Sequence, residues 1–286
     1  MIYIMEKDNM YGKKDIVKAF TMLGGQVEVT DIPLMYGENS ERTKQELKSI
    51  LDKVRYDIVF TSNYYPIVSD MCMNHNIKYL SWTYDSPRIS LYDKSIMNPC
   101  NCAFTFDSLE CQNLREKGVN TVYYMPLASA VDHIKELEIT DSDRRIFDAQ
   151  VGMVASLYNE EHNLYDRMRE KLDDYTKGYL DAAIRAQSNL IGGNIFDCVL
   201  DNTSILEAMY RAMPYLVDDG SFADLKYVYS NYFLCRKTAT IQRLEYIKTI
   251  SERYEMKVYT PGDISDIPSA MHMGVVDYNT DMYKVF

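Results

Sequence analysis

The sequence predicts an α/β fold built on a parallel sheet. Three observations indicate it: short apolar runs alternate with segments of helical periodicity, glycines stop several of those segments, and polar residues cluster directly after the apolar runs. Strands that alternate with helices at this spacing form parallel sheets covered by helices. In open sheets of this kind, ligands bind at the loops that follow the carboxyl ends of the strands.

Residues 1–128 predict one Rossmann-like domain. Its strands are expected at 1–5, 26–32, 57–61, 78–83, 98–106 and 122–125. Its helices are expected at 15–23, 43–55, 67–75 and 108–118, with 36–43 as a loop. Gly24-Gly25 and Gly118 are helix stops, and Asp107 or Ser108 is the expected cap of the last helix.

Residues 129–148 are charged and predict a linker, and residues 149–286 predict a partial second α/β domain. Its strands are expected at 150–156, 256–259 and 274–276. A helix is expected at 164–175, a long helical insertion at about 176–254, and the start of a helix at 282–286. Three strands would leave a long exposed sheet edge.

Composition excludes several classes of function. The net charge of −11 argues against a nucleic-acid or anionic-membrane surface, and no apolar run approaches the roughly 18 residues of a membrane span. The first loop has only Gly12, so it lacks a dinucleotide fingerprint, and the chain has no P-loop motif. The cysteine spacing and the polar N-terminus predict reduced thiols in a cytoplasmic protein without a metal site.

Nine stretches, in their order along the chain, resemble the CgeB-like (spore maturation) glycosyltransferases. They are VFTSNYYPIVSD, YLSWTYDSP, NPCNCAFTFD, VYYMPLA, VASLYNEEHNLYDR, GYLDAAIRAQ, NYFLCRKTATIQR, VYTPGD and VVDYNTDMYKVF. The resemblance covers nearly the whole chain, and the N-terminal part is similar to the domain of unknown function that opens those proteins. Ala155 stands where the family usually has Gly.

The resemblance implies a GT-B type, hexosyltransferase-like enzyme with two Rossmann-like domains. It implies a nucleotide-sugar donor, with UDP as the expected nucleotide, an acceptor of unspecified identity, and no cofactor or bound metal. The N-terminal domain would face the acceptor and the C-terminal domain the donor. The family's glycine- and acid-containing donor segment would lie beyond Phe286, so a partner segment or an oligomer is expected to complete the donor side.

Sugar transfer of this kind needs a base for the acceptor hydroxyl, and Asp85 is the candidate. It follows a predicted strand, and Ser86-Pro87 fixes the turn after it; the alternative is that its carboxylate only caps that turn. The residues expected to bind substrate beside it are Asn63, Tyr64, Tyr65, Trp82, Tyr84, Ser86, Arg88 and Gly12. Plain loop packing is the structural alternative for Asn63, Tyr64 and Tyr65, and a surface ion pair is the alternative for Arg88.

The segment Ser156-Leu157-Tyr158-Asn159 is the candidate donor site in the second half. It follows a predicted strand and precedes a predicted helix, and backbone N–H groups at a helix start bind phosphate.

Two other hypotheses remain open from the sequence. One is a non-catalytic binding or assembly module on the same fold. The other is a receiver-like or periplasmic-binding-like protein. A receiver needs an aspartate after the third strand, where this chain has Asn63, and the periplasmic class needs a signal peptide, which the N-terminus does not predict.

Overall fold

A computed structural model describes residues 2–6, 12–31, 41–159, 163–278 and 280–285. The chain divides into two compact units. The first comprises residues 1–131 and 217–223, and the second comprises residues 132–216 and 224–286.

The first unit is an α/β layer structure around a six-stranded parallel sheet. Its strands are β1 (Ile2–Glu6), β2 (Val27–Asp31), β3 (Ile58–Ser62), β4 (Lys78–Thr83), β5 (Asn101–Thr105) and β6 (Val122–Tyr124). Its helices are α1 (Lys13–Met22), α2 (Glu41–Leu51), α3 (Pro66–His75) and α4 (Ser108–Glu116). The strand order β2-β1-β3-β4-β5-β6 reverses direction at β1, as in doubly wound sheets whose ligands bind at the reversal point.

Burial follows the pattern that a sheet covered by helices requires. Val59 and Tyr79 on the central strands and Leu47 on α2 are fully or almost fully buried. On the other side of the sheet, Ile16 of α1 packs with Phe60. Helix α3 ends at Asn76, whose φ of 55° is the left-handed conformation that terminates helices.

The second unit holds a three-stranded parallel sheet of order β7-β8-β9, with strands β7 (Val151–Val154), β8 (Met256–Tyr259) and β9 (Met271–Gly274). Its helices are α5 (Val131–Lys135), α6 (Asp141–Phe147), α7 (Leu164–Arg169), α8 (Asp174–Ser188), α9 (Phe196–Val199), α10 (Thr203–Ala212), α11 (Leu225–Val228) and α12 (Arg236–Ser251). A π-helix, Tyr229–Cys235, joins α11 to α12. Leu157, Ile247 and Val258 centre the core beside this sheet.

The predicted α/β class with parallel sheets is confirmed, while several boundaries differ. The predicted linker contains α5 and α6, because Thr140 and Asp143 form a capping box that starts α6. Helix α7 ends early, since Asp173 caps a new helix, α8. Strand β9 ends at Gly274, whose φ of 75° stops it, rather than beginning there. Residues 36–40 of the predicted loop lie outside the described residues, and α2 begins at Glu41, within the predicted loop.

The segment 217–223 falls within the predicted helical insertion but belongs to the first unit. Its Phe222 amide donates to the Tyr92 carbonyl at 2.7 Å, and the Ser221 hydroxyl donates to the same carbonyl at 3.0 Å. These contacts attach a short late segment of the chain to the loop after β4. Among the described helices, none combines the length and the hydropathy needed to cross a membrane.

Candidate functional site

The carboxyl ends of β3, β4 and β5 bring three predicted loops together. The strands run in register, with Ser62 beside Trp82 and Thr83 beside Thr105, so the loops beginning at 63, 84 and 106 leave the same edge of the sheet. The loop after β3 lies next to the point where the strand order reverses. This is the position at which open α/β sheets bind ligands.

Asn63 clamps the loop after β4. Its φ of 65° is left-handed, a conformation that asparagine tolerates better than most residues. Its Oδ1 accepts hydrogen bonds from the backbone amides of Tyr84 (2.9 Å) and Asp85 (3.3 Å). Its Nδ2 donates to Asp85 Oδ2 at 2.9 Å. Asn63 therefore positions both the backbone and the carboxylate of the next loop.

Arg88 holds the same carboxylate from the other side. Its Nη1 lies 3.2 Å from Asp85 Oδ2, and its Nε donates to Ser90 Oγ at 3.0 Å. Its guanidinium carbon lies 5.6 Å from the centre of the Tyr65 ring. The side chain of Arg88 is only 4% exposed, whereas that of Asp85 is 61% exposed. The pair thus joins a buried cation to a carboxylate that faces solvent.

Glu110 is a buried acid behind this loop, and the sequence reasoning missed it. Its Oε1 accepts from the Arg88 amide at 2.8 Å, and its Oε2 accepts from Thr105 Oγ1 at 3.1 Å. Burial raises the pKa of Glu110 to about 7, although these hydrogen bonds oppose the rise. Three residues after Asp107, Glu110 has the spacing of a capping-box acid, but its carboxylate binds the loop of Arg88 instead.

Asp107 confirms the predicted helix cap. Its Oδ1 accepts from the amides of Leu109 (2.9 Å) and Glu110 (3.1 Å), which begin α4. Its Oδ2 accepts from Ser86 Oγ at 2.7 Å. Ser86, predicted to contact substrate, therefore ties the loop after β4 to the start of α4; the peptide bond that follows it, Ser86-Pro87, is cis.

The aromatic residues predicted to line this edge are placed differently from one another. Tyr64 is fully buried, and its hydroxyl lies 2.8 Å from Ser95 Oγ, so its side chain does not line a crevice. Tyr65, the residue directly before α3, is buried in the core, with 6% of it exposed. Trp82 packs onto the Ile16–Phe60 cluster, and its ring centre lies 5.5 Å from that of half-buried Tyr84.

Gly12 starts α1 with a φ of 71°, which suits a residue without a Cβ. The rest of that first loop, residues 7–11, lies outside the described residues. Within the described ranges, no group of three or more His, Cys, Asp or Glu side chains is arranged to hold a metal ion.

The predicted donor segment forms a tight turn after β7. Leu157 is fully buried in the core of the second unit. Tyr158 has a φ of 57°, and its amide donates to Ser156 Oγ at 3.2 Å. Asn159 Nδ2 donates to the Asp263 carbonyl at 2.7 Å. A Cβ at Gly262 would lie 2.3 Å from Asn159 Oδ1, so a larger residue there would displace the asparagine side chain.

The start of α7 offers less to a phosphate than the sequence predicts. The amides of Tyr165 and Asp166 donate to Asn163 Oδ1 at 3.1 and 3.2 Å. Asn163 therefore already caps the first amide donors of α7. The helix itself has only six residues.

Two arginines of α12 reach the turn that follows β7, and local motifs did not reveal them. The guanidinium carbons of Arg236 and Arg243 lie 5.0 and 4.5 Å from the centre of the Tyr158 ring. Arg243 Nη1 also donates to the Ser156 carbonyl, and Thr240 Oγ1 donates to the Tyr158 carbonyl at 3.0 Å. Their spacing of seven residues, with Thr240 between them, places all three on one face of a helix; that spacing is the one signal the sequence offered.

Comparison of the chain with known protein families, with curated proteins and with solved structures finds no match.

Proposed function

We propose that this chain is a glycosyltransferase of GT-B type, or its acceptor-side portion. It would transfer a sugar from a nucleotide-sugar donor, with UDP as the expected nucleotide, to an acceptor hydroxyl. The single observation that carries the proposal is the Asp85 carboxylate, which is oriented by Asn63 and Arg88 at the strand ends and is 61% exposed. The sequence resemblance to CgeB-like glycosyltransferases supports the same reaction.

Asp85 has the properties that a general base for a hydroxyl group requires. A base must be held in a fixed geometry and must reach the proton that it accepts. Two donors, Asn63 Nδ2 and Arg88 Nη1, converge on Oδ2 at 2.9 and 3.2 Å and fix the carboxylate. Arg88 is itself fixed by Ser90 and by the hydrogen bond that its backbone amide donates to Glu110. Such support from surrounding groups gives a catalytic group its precision.

The donor would lie at the turn after β7, where Ser156, Tyr158 and Asn159 leave the strand. The chemistry asked of the protein there is to stabilise the leaving diphosphate.

The test is release of nucleoside diphosphate from UDP- and GDP-linked sugars in the presence of a panel of sugar acceptors. We expect Asp85→Asn to lower the rate by about 10²- to 10⁴-fold, the usual contribution of a general base. Asp52→Asn is the matched control, because Asp52 is also an exposed, ion-paired aspartate but follows α2. Equal rates for wild type and Asp85→Asn would contradict the proposal, and a wild-type chain without turnover would favour the non-catalytic binding module.

A further inference from the structure

The loop after β7 is held against α12 by contacts that leave guanidinium groups beside it. Thr240 and Arg243 donate to two carbonyls of the turn, those of Tyr158 and Ser156 respectively. Arg236, one helical turn before Thr240, is exposed, and its guanidinium carbon lies over the Tyr158 ring. Because both guanidinium carbons lie within 5.0 Å of the same ring centre, they are less than about 10 Å apart. We call Arg236, Arg243 and Tyr158 the arginine cluster.

The arginine cluster carries positive charge that no carboxylate neutralises within the described part of the chain. Neither Arg236 nor Arg243 forms an ion pair there, whereas neighbouring Lys237 pairs with Asp166 at 2.8 Å. Arg169 of the same unit likewise pairs with Asp181, at 2.6 Å. In a chain of net charge −11, two neighbouring arginines that have no carboxylate partner among the described residues favour an anion as ligand.

The geometry around the cluster is fixed before any ligand arrives. Tyr158 keeps its left-handed backbone because Asn163 Nδ2 and Thr240 Oγ1 both donate to its carbonyl, at 2.8 and 3.0 Å. The π-helix Tyr229–Cys235 ends directly before Arg236, and such segments within helices are frequent at functional sites. Groups that are ordered in advance bind a ligand at a lower entropic cost.

We propose that the arginine cluster binds the phosphate groups of a phosphorylated ligand at the carboxyl end of β7. Guanidinium groups suit this ligand because they bind phosphate oxygens through two parallel N–H donors. The first amides of α7 are occupied by Asn163, so the side chains of α12 supply the donors. The identification of that ligand as the nucleoside diphosphate of a sugar donor rests on the function proposed above.

The test is calorimetric titration of the full chain with pyrophosphate, UDP and GDP. We expect saturable binding of pyrophosphate, and at least a tenfold loss of affinity in Arg236→Gln. Arg236 is the decisive position because its exposed side chain can change without removing a donor from the turn. Arg243→Gln should lose as much or more, with circular dichroism verifying its fold, since Arg243 also binds the Ser156 carbonyl.

Lys237→Gln is the matched control, because it removes an adjacent cation that Asp166 already neutralises. We expect its affinity to stay within twofold of wild type. Wild-type affinity in Arg236→Gln, an equal loss in Lys237→Gln, or no saturable binding of any probe would overturn the proposal. Tighter binding of UDP or GDP than of pyrophosphate would add a nucleoside contact, and equal binding would assign recognition to the phosphates alone.

Binding of pyrophosphate does not depend on sugar transfer, so the two proposals fail separately. Loss of pyrophosphate binding in Arg236→Gln, together with full turnover by Asp85→Asn, would retain the anion site and reject Asp85 as the base. Loss of turnover in Asp85→Asn, with unchanged pyrophosphate binding in Arg236→Gln, would retain Asp85 as the base and reject the anion site.

Discussion

The two units hold the polar groups of their strand-end loops in different ways. The loops compared follow β3 and β4 in the first unit and β7 in the second unit. In the first unit, the side chains of Asn63 and Arg88 bind the Asp85 carboxylate, and Glu110 accepts from the Arg88 backbone amide. In the second unit, Thr240 and Arg243 bind backbone carbonyls of the turn. The first arrangement pairs its charges, and the second leaves arginines without carboxylate partners among the described residues.

The difference separates two kinds of chemistry. A carboxylate held by neutral and cationic donors keeps its position while it accepts a proton. Guanidiniums held against a turn favour an anionic ligand, because among the described residues no carboxylate neutralises their charge. Substituting one supporting residue at a time tests how each unit orders its polar groups, beginning with Glu110, the buried acid of the first unit.

Glu110→Gln should have the largest effect, and the effect depends on pH. Because the folded pKa is raised from 4.5 to about 7, the stability that this group contributes is complete below pH 4.5 and is lost as the pH rises through 7. The shift corresponds to about 3 kcal/mol. Glutamine imitates the protonated acid and should retain that stability at pH 8. The measurement is urea unfolding at pH 5 and pH 8, followed by fluorescence of Trp82, the single tryptophan.

Glu116→Gln is the control for this experiment, because Glu116 is an exposed acid on the same helix. It should keep the pH dependence of wild type. If Glu110→Gln showed that same dependence, Glu110 would not be the buried titrating group of the first unit.

Asn63→Gly should destabilise the first unit by about 2 kcal/mol, because three hydrogen bonds to Tyr84 and Asp85 are lost. Glycine keeps the left-handed backbone, so the change tests the side chain alone. Asn76→Gly is matched in backbone, with a φ of 55° at the end of α3, and should be neutral or stabilising. The free energies of unfolding of both variants are measured by urea denaturation, with Trp82 fluorescence as the signal. Equal changes in the two variants would contradict a stabilising role of the Asn63 side chain.

Thr240→Val should have the smallest effect, a loss of about 1 kcal/mol localised to the turn after β7. The Tyr158 carbonyl loses a donor from a residue that is 3% exposed. Amide hydrogen exchange of residues 155–159 should become faster. Thr238→Val is the control, because the Thr238 hydroxyl donates to Leu234 within the same continuous helical segment; faster exchange there as well would show that the effect is not specific to the turn.

Strand periodicity and one recognised helix cap predicted parts of the structure correctly. The predicted bounds of β4 and β8 match those observed, and Asp107 caps α4 as expected. Burial of Tyr64 and Tyr65 was not predictable, because a strand-end position does not say whether a ring turns towards solvent or the core. The contacts of Arg236 and Arg243 with the turn join residues 78 and 87 positions apart, a separation that no local pattern encodes.

Residues 217–223 can complete the first unit only late in synthesis of the chain. Residues 132–216, which belong to the second unit, must leave the ribosome before Ser221 and Phe222 can bind the Tyr92 carbonyl. At bacterial or eukaryotic elongation rates this delay is about 5 to 15 seconds. During that interval the first unit is one segment short, and its chaperone requirement should be greatest. A gene cut after residue 131 would make this transient state permanent.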